Sequence, residues 1–176
     1  TLQAIKQLIT NCGKGTEFLL LNVGDFLHCN TPNITAAGTS LDTSGHWIDS
    51  VESAVRIYRQ AVEWALELNQ KVTLMNTRGN HDEDLSMVIN SMLTVFYEDE
   101  PRVNVLSNVS KFIHYQYKSV LLTSHHGDKG IKHQRIYEYF TRNHAKLWGD
   151  TTARYCHLGH IHHKQQSEVG GAMLFE

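Results

Sequence analysis

Proline and cysteine are scarce in this sequence: two prolines and three cysteines among 176 residues. With so little proline and no low-complexity run, nothing reads as a linker, and residues 1–176 read as one domain. Cys12, Cys29 and Cys156 are odd in number and lack C-x-x-C spacing. That argues against a disulfide framework and for a reducing, cytoplasmic setting. The longest apolar run, Phe18–Leu21, falls far short of the ~20 residues a membrane helix needs, and no charged-then-apolar leader opens the chain. No membrane association is expected. Net charge is only −2, but residues 1–100 carry 6 Lys/Arg against 13 Asp/Glu, and residues 101–176 carry 10 against 5. The basic C-terminal half permits an anionic partner without requiring one. The chain starts at Thr1 rather than Met, so an upstream segment is expected.

What the sequence has in excess is histidine, 12 residues, and their positions matter more than their number. Apolar periodicity predicts helices over 2–11, 47–68, 84–96 and 131–147. Short apolar runs predict strands over 17–23, 71–76, 103–106, 111–117, 119–123, 153–158 and 165–175, with a long polar loop over 29–45. Four strands end in polar clusters: Gly24-Asp25, Gly79-Asn80-His81-Asp82, His125-His126 and Gly159-His160-Ile161-His162. In layered α/β folds the loops at strand ends are where ligands gather, so the four clusters are expected to form one site.

One carboxylate, one amide oxygen and several imidazoles make a mixed O/N donor set, suited to divalent Mn first, and to Fe, Zn or Ni. Such ions neutralise phosphate charge and activate water. Each piece also has a plainer reading. Gly-Asp after a strand is common, Asn-His-Asp can cap the next helix, and a His-His pair is often surface or core packing. Gly-His-Ile-His is more pointed, because an extended backbone puts its two outer imidazoles on one face.

Taken in this order, Gly24-Asp25, Gly79-Asn80-His81-Asp82, His125 and Gly159-His160-Ile161-His162 resemble the calcineurin-like metallophosphoesterase superfamily, over residues 20–163. Gly24-Asp25-Phe26-Leu27-His28 resembles its DNA-repair exonuclease branch, and the loop with Ser44-Gly45-His46 is similar to phage- and prophage-encoded members. The resemblance implies an α/β sandwich of two mixed β-sheets flanked by helices, here without its first strand. It implies that Asp25 bridges two metals, that Asn80, His125 and His160 complete one shell, and that His162 serves the other. His81 would contact the phosphate and protonate the leaving oxygen, and His28 would steady the phosphate. Asp82 is read as orienting His81 from behind. His126 is the alternative to His125, which is preferred because it comes first after the strand. The family's opening Asp-x-His has no counterpart before Asp25, so a metal content nearer one than two is expected; His46 is a candidate substitute ligand.

The activity expected is metal-dependent phosphodiester hydrolysis through a metal-activated water, with DNA as the substrate. The competing readings are a phosphomonoesterase or nucleotide phosphodiesterase, and a catalytically degenerate metal-binding scaffold. Lys129, Lys132, Arg135, Arg142 and Lys146, interleaved with Tyr137, Tyr139, Phe140 and Trp148, read as a nucleic-acid-facing helix or as an ordinary helix with a solvated basic face. Cys29, His114, His133, His144 and His157 are expected to pack or face solvent, and His163 to sit beside the site with its side chain pointing away from the face of His162.

Overall fold

The computed structural model of the protein describes residues 2–31, 33–36, 38–41 and 46–176. Ser44 and Gly45 lie outside the described residues. The clearest amphipathic segment forms α2 (Trp47–Leu68), which buries Val51, Ala54, Tyr58, Ala61, Val62 and Ala65 along one stripe at the spacing that puts residues on a common helix face. That stripe packs with α1 (Leu2–Cys12) and α3 (Glu83–Phe96) around a three-stranded sheet. The sheet runs β1 (Gly15–Asn22), β2 (Asn69–Asn76), β3 (Val103–Val105), in that spatial order and parallel throughout. The central strand β2 is the most buried of the three, as a parallel strand covered on both faces must be.

The second sheet has five strands in the order β4 (Ile113–Tyr117), β5 (Val120–His125), β6 (Ala153–Leu158), β8 (Ala172–Phe175), β7 (Gln166–Val169). It mixes antiparallel edges with a parallel centre. Its own apolar core, Ile136, Phe140, Cys156, Leu158 and Leu174, lies under α4 (His133–Asn143). The fold is therefore the expected α/β arrangement of two sheets flanked by helices, with one correction: the smaller sheet is wholly parallel, not mixed. No described helix is long and apolar enough to cross a membrane.

Two predicted elements divide. Residues 165–175 form the hairpin β7–β8, turned by Gly170 and Gly171 at φ 57° and 79°, the paired left-handed backbone a two-residue hairpin turn requires. The helix expected over 131–147 breaks at His144 into α4 and α5 (Ala145–Gly149). The two sheets meet at their strand ends. There Thr77 Oγ1 donates to Ser124 Oγ at 2.7 Å, joining the end of β2 to β5.

Candidate metal centre

Beyond β1 the chain turns through Gly24 (φ 101°) into Asp25 (φ 51°), and beyond β6 through Gly159 into His160 (φ 74°) and His162 (φ 56°). A left-handed backbone is uncommon for residues with a Cβ and costs on the order of 1–3 kcal/mol, so it persists only where the surroundings hold it. Three candidate ligands share this strain. A second constraint is steric. A Cβ built on Gly79 would lie 2.0 Å from Asp25 Oδ1 and 2.2 Å from Asp25 N, so only glycine lets the loop after β2 press against the loop after β1.

These turns bring Asp25, Asn80, His126 and His160 together. The ligand atoms of Asp25, His126 and His160 all lie within 4.8 Å of one another, the group of that kind found among the described residues. Val23 O can only accept a hydrogen bond, so His126 Nδ1 carries a proton and donates to it at 2.8 Å. In a neutral ring this leaves the Nε2 lone pair facing Asp25 Oδ2 at 3.1 Å and Asn80 Oδ1 at 3.0 Å. Three electron-rich atoms this close repel; a metal ion, or a second proton on the ring, removes the repulsion. The donor set is the mixed O/N type that borderline divalent ions favour.

His162 lines the same cavity of about 430 Å³ as His126 and His160, without joining the tight group. His81 sits beside it. Its backbone N–H donates to Asp25 Oδ1 at 2.9 Å, its Nε2 is 4.0 Å from Asp25 Oδ2, and its ring stacks on His28 with centroids 4.8 Å apart. His81 Nδ1 is buried with no described partner.

Two expectations need correcting. His126, not His125, faces the centre. β5 runs through His125, and side chains alternate along an extended strand, so the His125 ring turns to the opposite face. There it packs on Phe112 at 4.6 Å, and its Nδ1 accepts the Gly127 N–H at 2.9 Å. Burial, with a smaller push from Lys111 and His126 against the pull of Asp128, lowers the His125 pKa to about 4. Asp82 does not touch His81. Its fully buried carboxylate accepts N–H groups from Leu27 at 2.8 Å and Gly79 at 3.1 Å. Burial raises its pKa, with hydrogen bonds from Leu27, Ser86 and Gly79 opposing part of the rise. Asp82 thus clamps the loop carrying Asp25 to the loop carrying Asn80.

No protein-family model matches the chain, and no curated protein does. Among solved structures, the crystal structure of a single mutant of Vps29 from Entamoeba histolytica is similar, with 14% sequence identity and a TM-score of 0.40, covering 98% of this chain. The chain spans 62% of that protein's length.

The cavity is also lined by His163, expected beside the site, and by Lys164 and Glu176, which sequence reasoning passed over. Only the short spacing from His162 hinted at the first two; Glu176 arrives through the end of β8, where no pattern marked it. His46 is exposed and joins no ligand group. Cys29 is a buried thiol whose pKa is raised, by burial first and then by Asp82. What the arrangement offers chemically is a cation-seeking cluster of oxygen and nitrogen donors, bordered by two stacked imidazoles and one lysine.

Proposed function

We propose that this protein is a calcineurin-like metallophosphoesterase that hydrolyses phosphodiesters, with DNA as the substrate. One observation carries the reading: the Asp25 carboxylate and the Asn80 amide oxygen each stand about 3 Å from His126 Nε2, whose ring donates its Nδ1 proton elsewhere, a cluster of donor atoms that a cation would hold together. Asp25, Asn80, His126 and His160 would hold one divalent ion, Mn before Fe, Zn or Ni, with His162 on the cavity wall. Once bound, such an ion neutralises phosphate charge and lowers the pKa of a nearby water.

The chain's own groups do the rest. Val23 O holds the His126 proton on Nδ1, so that Nε2 stays a donor atom. Asp82 fixes the spacing of the Asp25 and Asn80 loops. His81, stacked on the His28 ring, would contact the phosphate and pass a proton to the departing oxygen. Lys164 adds a positive charge to the same cavity wall.

The test is a Mn²⁺ titration by calorimetry together with turnover of an aryl phosphodiester and the matching monoester. About one ion per chain and faster diester turnover are expected. His126→Ala should weaken Mn²⁺ binding by more than the ~10–100-fold typical of groups behind a ligand, while His125→Gln keeps the ion. His81→Ala should keep the ion and lose ~100–10,000-fold in turnover, the usual worth of a general acid. An ion retained by His126→Ala would remove the proposed centre. An ion bound without any ester hydrolysis would leave a metal-binding scaffold instead.

A further inference from the structure

Arg154 is held by the backbone carbonyls of Trp148 and Thr151, and the other arginines of this protein divide into two groups. Arg56, Arg59, Arg78 and Arg102 each pair with a glutamate. Arg135 and Arg142 on α4, and Lys129 and Lys132 just before it, are exposed and have no carboxylate within 4.0 Å among the described residues, whereas Lys146 is held by Asp150. Exposed cations left unpaired on one segment keep their charge available to an outside anion.

Lys129, Arg135 and Arg142 border a concavity rather than a convex surface. A cavity of about 240 Å³ is lined by Lys111, His125, Asp128, Lys129, Ile131 and Arg135. A second, of about 400 Å³, is lined by Phe112, Ile131, Arg135, Glu138, Tyr139 and Arg142, with Asn143. Ile131 and Arg135 belong to both, so the two form one groove along α4. Phe112 and Tyr139 line it as a stacked pair, centroids 3.9 Å apart and planes 14° from parallel. Arg135, Tyr139 and Arg142 follow at helical spacing on one face, the two arginines about 10 Å apart along the axis. Of the acids present, Asp128 is engaged by Lys111 at 3.4 Å and Glu138 accepts from Gln134. His125 on its wall immediately precedes His126 of the metal centre, with its ring turned to the opposite face from that of His126. In addition, Glu176 of the metal cavity pairs with His133, the first residue of α4, at 3.2 Å.

We propose that this groove binds one strand of nucleic acid leading away from the scissile phosphate. Lys129, Arg135 and Arg142 meet backbone phosphates, and the Phe112–Tyr139 pair offers a ring face to a base. Unpaired cations tracking a groove with an aromatic platform are what sequence-tolerant single-strand binding uses. The inference rests on the phosphodiesterase reading for its direction, not for the binding itself.

The experiment measures fluorescence anisotropy of a labelled 20-mer of thymidylate with the full chain in EDTA, across a salt series. Strand binding is then read without cleavage. The double variant Arg135→Gln/Arg142→Gln should flatten the slope of log affinity against log salt by about 1.4, that is ~0.7 for each phosphate no longer neutralised. Tyr139→Leu should weaken binding about tenfold, with the slope unchanged. Turnover of the small aryl diester, measured separately with Mn²⁺, should match the parent in both variants. Absence of that turnover in the parent itself would strike the hydrolase reading and leave the groove standing. Parent-like affinity and slope in the double variant would overturn the groove. So would displacement of the strand by polyglutamate at equal charge, which would make it a general polyanion surface.

Discussion

Gly79 controls the position of Asp25 more directly than any ligand does. Gly79→Ala would push a methyl group into both the carboxylate and the backbone of Asp25, moving the acid by an ångström or so. A displacement of that size at a reacting centre costs ~100-fold. Turnover of the aryl diester should fall by about that factor, and far-ultraviolet circular dichroism should show the secondary structure retained. Asp25, Asn80, His81 and His160 were legible in the sequence because each follows an apolar run, and such runs deliver polar residues to strand ends. The choice between His125 and His126 was not. It depends on whether the strand includes His125, and a one-residue difference exchanges the two faces. Asp82 was misread for a related reason. Adjacency to His81 suggested contact, but the carboxylate is spent on the Leu27 N–H of the neighbouring loop and the Gly79 N–H of its own.

The β7–β8 hairpin braces α4 through its turn. A Cβ on Gly170 would meet the Tyr137 ring at 2.1 Å, and the backbone there is left-handed. Gly170→Ala should therefore destabilise the fold by about 1–3 kcal/mol through overpacking and strain, measured as a lower urea midpoint. α2 was predictable to the residue and β2 to within two at its start, because a long periodic stripe and the cluster of Val72, Leu74 and Met75 leave few alternatives. The break at His144 was hidden, since no glycine or proline marks it; His144 simply leaves the helical backbone, at φ −132° and ψ 41°. The hairpin was hidden within one expected strand, although the Gly170-Gly171 pair was the available signal.

The opposed charges of the two halves of the chain correspond roughly to its two layers. The acidic first hundred residues supply α1–α3 and two strands of the smaller sheet, and the basic remainder supplies the five-stranded sheet and α4. The Glu83–Lys111 pair at 3.1 Å joins one half to the other. That partition was visible in the sequence only as an uneven count, because charge totals do not say which segments share a layer. The larger sheet also makes the protein sensitive to acid. Burial holds the imidazoles of His114 and His157 below their ordinary value, the former helped by His144. The folded state thus binds fewer protons there than the unfolded chain. Stability from these groups is complete above about 6.5, the unfolded value, and declines as pH falls below it toward their lower folded values. Urea midpoints at pH 7.5 and 5.5 should differ in that direction. His157→Phe, which keeps a ring against Phe175, should narrow the gap; an unchanged gap would assign the acid sensitivity elsewhere.

Asp25 and Asn80 follow strands of one sheet, and His126 and His160 follow strands of the other. Each layer has its own apolar core, but neither owns more than half of the donors. The centre is therefore a gauge of how the layers are seated. A substitution anywhere along their seam, however remote from a phosphate, would register first as misalignment of those four atoms.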